Sequence, residues 1–467
     1  MRIEQLYTQC LSEAAYFIES EGEAVVIDPL RDVEKYLELA QESNSVIKYI
    51  FETHFHADFV SGHLDLSKKT GAPIVFGPEA STSYPIRQAK DGEVFHIGKI
   101  SLEVLHTPGH TLESTSYLLR DAAGNPHCIF TGDTLFIGDV GRPDLSSGDL
   151  SSEELAGIMY DTLQNKILPL PDEVIVFPAH GPGSACGKNL GPGTQSTIGL
   201  QRKENYALQF QDKEAFIKAV TEGLGAAPKY FAVNARINQE GYPELDTVKA
   251  TGEKPLDLES FKHWMAAEAL ILDTRKATEF TQGFIPGSIS IGLEGRFAEW
   301  AGGLLPFDKT IILVTEPGKE SESVVRLSRV GFEHLAGHLK GGYQSWVDAG
   351  EPVDMIIDIE ADELLMDMPH DDKLEVLDVR RNAEFANGHL QDALNIPLNE
   401  MDDVASIAEL EEDKNYYIHC AGGYRSVIAA SLLKRQGIHN LRNILGGWES
   451  IRQQPKVKIV KESNVLN

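Results

Sequence analysis

Three imidazoles and a carboxylate fall within Thr53-His54-Phe55-His56-Ala57-Asp58-Phe59-Val60-Ser61-Gly62-His63, directly after the apolar run Ile47–Phe51. Three further elements follow: Thr107-Pro108-Gly109-His110, Thr131-Gly132-Asp133 and Pro178-Ala179-His180-Gly181. In each, a His or Asp sits at or just beyond the end of a strand-like run, where loops on one rim of a sheet can converge on an ion. A lone His after a strand reads as a hydrogen-bonded turn residue. The whole set, with a His-x-His pair at its head, reads as metal ligation. A second pattern lies near the other end. The strand-like run Tyr416–His419 ends at Cys420, and Ala421-Gly422-Gly423-Tyr424-Arg425-Ser426 leads into the amphipathic stretch Val427–Arg435. A cysteine on a tight glycine-rich loop that opens a helix receives backbone N–H groups and the positive helix end. Its thiol is expected to ionise readily, with Arg425 as the cation for an anionic donor.

The elements that must position these residues fall into a long half and a repeated half. Residues 1–235 alternate β-like runs (Ala24–Ile27, Ile47–Phe51, Pro73–Phe76, Ile100–Leu105, His127–Phe130, Glu173–Phe177) with turns and helices, each run bounded by Gly, Pro or Asp. Residues 236–255 are polar and contain Gly and Pro, the composition of a linker. Beyond them Leu272-Asp273-Thr274-Arg275 and Leu377-Asp378-Val379-Arg380 open two similar segments. Each continues through a Glu-Phe pair and a Gly to a Gly-Gly-aromatic turn, Gly341-Gly342-Tyr343 or Gly446-Gly447-Trp448. The spacing is too long for a solenoid repeat, so two tandem α/β domains with parallel sheets are expected, 256–355 and 371–467, joined by a linker at 356–370.

Composition bounds the function classes. The chain has 467 residues, enough for about three domains, and carries 42 Lys+Arg against 71 Asp+Glu, a formal charge of −29. That balance argues against a general nucleic-acid binder and against an anionic membrane surface as partner. No apolar run reaches the length of a membrane span, and the first residues, without a basic stretch followed by an apolar one, are not expected to act as a leader. The scattered cysteines Cys10, Cys128, Cys186 and Cys420 suggest reduced thiols in a cytoplasmic protein.

The His-x-His-x-Asp run with its downstream His, Asp and His resembles the metallo-β-lactamase fold, which implies an αββα sandwich with the metal on one rim of two sheets. The Cys420 loop resembles the six-residue rhodanese loop, as do the Leu-Asp-Val-Arg, Gly-His-Leu, Asn-Ile-Pro and Gly-Gly-Trp elements around it. The middle segment resembles the same family without its chemistry, since Thr315 falls opposite Cys420 and Glu320 opposite Arg425. Asp273, Arg275, Glu279, Asp378, Arg380 and Glu384 are read as structural ion pairs. The expected fold class is therefore an αββα metallo-β-lactamase sandwich followed by two tandem rhodanese-like parallel α/β domains.

The order of domains is similar to bacterial persulfide dioxygenase–rhodanese fusions. That resemblance implies one Fe(II) held by His54, His110 and Asp133, with His56, Asp58 and His180 beside it to orient ligands or water. Two imidazoles and a carboxylate suit non-haem iron and O₂. It implies oxidation of a small thiol persulfide to sulfite, with glutathione, coenzyme A or another small thiol as carrier, and sulfur transfer through Cys420 with thiosulfate made or used. A homo-oligomer is the family expectation. Arg142, Cys186 and Lys188, in the Gly-Arg-Pro-Asp stretch and the glycine-rich loop past His180, are candidates for substrate binding, together with Ala421, Gly422, Gly423 and Tyr424 of the thiol loop.

Other readings stay open. His56 could be a third nitrogen ligand to a hydrolytic Zn²⁺, making a glyoxalase II-like thioester hydrolase fused to a sulfurtransferase. Phe59 stands where two-metal relatives carry a second His, so a second ion is expected to be weak or absent. A persulfide sensor or carrier without turnover is the non-enzymatic alternative.

Overall fold

The computed structural model describes residues 1–145, 150–401, 403–408, 410–455 and 457–462. The chain forms two units, Met1–Leu245 with Ser328–Gly331, and Asp246–Leu327 with Phe332–Asn467.

In the first unit β1 (Arg2–Thr8), β2 (Glu13–Ser20), β3 (Glu23–Ile27), β4 (Val46–Phe51), β5 (Ile74–Phe76) and β6 (Arg87–Gln88) make one sheet in that order. Its first three strands are antiparallel and the rest parallel. A second sheet holds β7 (Val94–Ile97), β8 (Ile100–His106), β9 (Thr115–Arg120), β10 (Pro126–Gly132), β11 (Ile175–Pro178) and β12 (Ser196–Thr197). Only β10 and β11 run parallel there.

The two-residue strand period builds the layers. From β2, Tyr16 and Ile18 enter the core between the sheets, where Phe51 and Val75 meet Leu102, Tyr117, Leu119 and Phe130. The alternate residues Ala15 and Phe17 face Tyr36 and Leu39 of the helix Glu34–Glu42. Behind the second sheet, Leu118, Ile129 and Val176 meet Met159 of the helix Ser152–Thr162 and Phe216 of the helix Lys213–Thr221. The result is the expected αββα sandwich.

The second unit contains two parallel sheets. One has the order β13 (Pro255–Leu256), β17 (Leu335–Leu339), β16 (Ile311–Val314), β14 (Leu270–Asp273), β15 (Ile289–Ser290). The other repeats it with β18 (Ile357–Ile359), β23 (Leu441–Ile444), β22 (Asn415–His419), β19 (Leu374–Asp378), β21 (Leu394–Asn395). A short ribbon pairs β20 (His389–Leu390) with β24 (Ile459–Val460). The apolar runs Leu270–Leu272 and Ile311–Val314 are buried throughout, the signature of strands covered on both faces. The central strands β16 and β22 end immediately before Thr315 and Cys420, which puts those residues at the same place in the repeat.

Two stretches read as linkers are structured. Residues 236–255 include the end of the helix Lys229–Glu240 and the helix Leu245–Gly252. The buried face of the first carries Asn234 and Asn238 beside Tyr230 and Phe231, so its polar composition concealed it. Residues 356–370 hold β18 and the helix Ala361–Asp367, and β18 is an edge strand of the last sheet.

Candidate metal centre and thiol loop

The loop after β4 carries His54, His56 and Asp58, the β8–β9 loop carries His110, and Asp133 and His180 follow β10 and β11. The folding of both sheets brings these loops to one rim. Ligand atoms of His54, His110 and Asp133 lie within 4.8 Å of one another, and all three residues are buried. Asp133 Oδ2 is 3.8 Å from His54 Nε2 and 3.5 Å from His110 Nε2. His56, Asp58 and His180 form an adjoining buried group.

The tautomers are set from behind. Thr53 Oγ1 donates to Asp28 Oδ2 at 2.9 Å, leaving its lone pair for His54 Nδ1–H at 3.0 Å. His110 Nδ1–H donates to the Arg142 carbonyl at 2.8 Å. His180 Nδ1–H donates to the Ser12 carbonyl at 3.2 Å. Each ring therefore turns an Nε2 lone pair inward, as a metal-binding imidazole must. Burial and the neighbouring His56, His110 and His180 hold His54 well below its ordinary pKa, so it is neutral. His56 behaves differently. Burial opposes its charge, but Asp28 at 3.1 Å, then Glu52 and Asp58, raise its pKa to about 10. His56 thus faces the Asp28 and Glu52 carboxylates, whereas His54 and His110 gather around Asp133 Oδ2. Phe59 lies against His56, ring centroids 4.3 Å apart.

Asp28, Thr53, Glu52 and Asn238 were missed by the sequence reading. Asn238 Nδ2 donates to the His56 and Phe59 carbonyls at 2.8 Å each, and its Oδ1 accepts from Ser61 N–H. Asp28 directly follows β3 with φ 51°, a left-handed conformation that Asp tolerates better than most residues. A strand ending in Asp-Pro was the available signal.

Three substrate candidates occupy other surroundings than expected. Arg142 donates from Nε and Nη2 to Asp144 at 2.7 Å, from Nη2 to the Gly225 carbonyl at 2.6 Å and from Nη1 to the Ala185 carbonyl. Its guanidinium is thus committed within the protein, and its carbonyl is what serves His110. Gly141 matters for the same reason: a Cβ there would stand 2.1 Å from the Asp133 carbonyl oxygen and 2.9 Å from His110 Nδ1. Lys188 Nζ caps the carbonyls of Ala219 and Glu222 at the end of a helix rather than accompanying Cys186. Cys186 is buried, not exposed, and burial, then Asp58 and Asp133, push its thiol well above its ordinary pKa. It belongs to the metal pocket, where its sulfur groups with Asp133 and His180.

In the second unit Cys420 sits at the base of its loop, 1% exposed. Gly423 N–H donates to Cys420 Sγ at 3.1 Å, and Ser426 Oγ is 3.7 Å from the sulfur. The helix Tyr424–Arg435 begins directly after Gly423. The Gly446-Gly447-Trp448 turn closes the other side, with Trp448 N–H donating to the Cys420 carbonyl at 2.7 Å. Ala421 is partly buried and Gly422 exposed. Arg425 forms a two-pronged pair with Glu384 at 2.6 and 2.7 Å. Glu384 was read as a scaffold ion pair, and instead it orients the loop's own cation. Tyr424 Oη donates to the Gly292 carbonyl of the middle domain at 2.8 Å. Asp273–Arg275 and Asp378–Arg380 are buried pairs under the two repeats, as expected.

Residues 9–180 match the family model "Metallo-beta-lactamase superfamily", and residues 257–349 and 360–454 match "Rhodanese-like domain". The structure of a metallo-beta-lactamase from Staphylococcus aureus subsp. aureus COL is 33% identical, covers 73% of this chain and 99% of its own, and superposes with a TM-score of 0.64. The chain belongs to the metallo-β-lactamase superfamily. In this member the sandwich is followed by tandem rhodanese domains, of which only the last carries the thiol. Similarity extends to ETHE1 from Myxococcus xanthus, at 29% identity over 51% of this chain and 98% of that one, TM-score 0.45. A hydroxyacylglutathione hydrolase of Polaromonas sp. (strain JS666 / ATCC BAA-500) is 35% identical over 34% of this chain and 57% of its own length. The chain spans about half the length (48%) of the first curated relatives it matches.

All four cysteines are free thiols. Among the described residues no helix is long and apolar enough to cross a membrane.

Proposed function

We propose that this protein oxidises a small thiol persulfide at an iron held by His54, His110 and Asp133, and transfers sulfane sulfur through Cys420. The observation that carries the reading is the trio itself: two imidazoles and one carboxylate converge, while His56 faces the Asp28 carboxylate. Bound iron would supply the O₂ chemistry by which RSSH, O₂ and water give RSH and sulfurous acid. The protein's part is to hold the imidazole tautomers through Thr53, Arg142 and Ser12, and to keep the ligands inside a buried rim. At the other site a Cys420 persulfide would pass its outer sulfur to sulfite, giving thiosulfate and the free thiolate, or run in reverse. Gly423 N–H steadies the sulfur, and Arg425 is the cation for the anion.

Glutathione and coenzyme A persulfides are the proposed substrates, in a cytoplasmic homo-oligomer with one iron per chain. A zinc thioester hydrolase is the second reading, favoured by the similarity to the hydroxyacylglutathione hydrolase. The two part on one assay. Protein loaded with Fe(II) is given glutathione persulfide, and Zn(II)-loaded protein is given S-lactoylglutathione. Oxygen uptake with sulfite formation supports the dioxygenase; thioester hydrolysis without oxygen uptake supports the hydrolase and overturns the first reading.

A further inference from the structure

Residues 328–331 lie inside the stretch that matches the rhodanese-like model, 257–349, yet they belong to the first unit. Their ties explain why. Arg329 donates from Nε and Nη2 to the two carboxylate oxygens of Asp32, at 2.8 and 2.7 Å. The Arg329 carbonyl accepts from Val60 N–H at 2.7 Å. The Ser328 carbonyl accepts from Nη1 of Arg31 at 3.3 Å, and that guanidinium is fully buried over the Tyr242 ring.

The two loops held in this way are the ones that carry the metal site's residues. Val60 follows Asp58 by two positions, on the irregular loop that bears His54 and His56. Asp32 ends the loop that opens at Asp28, and Asp28 accepts from Thr53 N–H at 2.7 Å and faces His56. The loops meet at an isolated bridge between Leu30 and Ser61. Their approach is close there, since a Cβ on Gly62 would stand 2.0 Å from the Leu30 carbonyl oxygen. One residue beyond the bridge the next donor of the metal loop, Val60 N–H, goes to Arg329 instead. An irregular loop places its ligands only as precisely as such ties hold it. Aligned on the repeat, Arg329 falls opposite Lys434, whose ammonium takes Asp354 at 2.7 Å. A cation at this place in the repeat is thus used twice to hold an acid, and the two-pronged arginine stands beside the metal loop.

We propose that Arg329 is a positioning residue of the metal centre, bracing the loop of His54, His56 and Asp58 against the loop of Asp28 and Asp32. Its side chain grips one loop and its carbonyl the other. The rhodanese-like stretch without a thiol is thereby needed for metal binding, although it supplies no ligand. The inference rests on His54, His110 and Asp133 as metal ligands, and not on the reaction proposed for them.

The test titrates metal-free, full-length protein with Co(II), reading affinity and the visible absorption of the bound ion. Arg329→Ala and Asp32→Asn should each weaken binding by about 10-fold and alter the cobalt band, since groups behind the ligands set their geometry. The double variant should lose no more than either single one, because both remove the same brace. Arg329→Lys should fall between Arg329→Ala and wild type, as an ammonium keeps the charge without the two-pronged geometry. Sulfur transfer through Cys420 should stay within about 2-fold throughout, as expected for an independent site. Asp32→Asn conserves volume and leaves the Val60 hydrogen bond in place, so it reads the brace even where Arg329→Ala fails to fold. Wild-type affinity and band in Asp32→Asn, or additive losses in the double variant, would overturn the brace. Wild-type protein that binds no cobalt would overturn the metal assignment itself and the brace with it.

Discussion

The two rhodanese domains share a strand order and a buried Asp–Arg pair, Asp273–Arg275 at 2.6 Å and Asp378–Arg380 at 2.5 Å. They differ where the central strand ends. In the last domain β22 runs into Cys420, with Gly423 N–H on its sulfur and Arg425 fixed by Glu384. In the middle domain β16 runs into Thr315, and Glu320 opens the following helix in place of the arginine. The scaffold is thus indifferent to the chemistry, which resides in a handful of loop residues. The silent copy still touches the active one, since Gly292 accepts from Tyr424.

The largest effect should come from removing the reacting group. Cys420→Ser is expected to lower sulfur transfer by about 10³-fold or more while oxygen uptake persists, and Asp133→Ala to do the reverse. Loss of both activities in either folded variant would break the two-site account. A transplant probes the comparison next. In Cys420→Ser protein, Thr315→Cys should restore less than about 1% of thiosulfate sulfurtransferase activity, because Glu320 repels the anion that Arg425 would attract. Substantial recovery would show that the cysteine alone suffices.

Glu384→Gln should cost about 10-fold in sulfur transfer, mostly as a raised KM for thiosulfate, through a misplaced Arg425. Burial works to raise the Glu384 pKa, but the Arg425 guanidinium outweighs it and holds the carboxyl below its ordinary value. A depressed folded-state pKa stabilises fully above the unfolded value of about 4.3 and is lost as pH falls through the folded one. The difference in Tm between wild type and Glu384→Gln should therefore shrink below about pH 4. A constant difference would deny the ion pair. The smallest effect is expected for Tyr424→Phe, about 2- to 10-fold in kcat, the worth of one hydrogen bond to the middle domain. No change in kcat would make the silent copy a bystander to the loop.

Much of this was legible because ligands and nucleophile sit at strand ends, and strand ends announce themselves as apolar runs closed by Gly, Pro or Asp. His54, His110, Asp133 and Cys420 were readable for that reason. The residues behind them were not. Thr53 and Asn238 act through hydrogen bonds to ring and backbone atoms, and Asn238 lies 182 positions from the His56 carbonyl it holds. Arg142 looked like a substrate clamp because its charge is conspicuous, yet its backbone carbonyl does the positioning. Cys186 looked exposed because glycines surround it, whereas those glycines let its loop close over the metal rim.

The central claim is that the first unit performs oxygen chemistry on a persulfide and the last domain handles its sulfur. Oxygen uptake by Fe(II)-loaded Cys420→Ser protein, supplied first with glutathione persulfide and then with coenzyme A persulfide, tests it most directly. The account predicts uptake at the wild-type rate, with sulfite accumulating and no thiosulfate formed by the enzyme. Absence of uptake with both persulfides, while the iron stays bound and the protein folded, would contradict it.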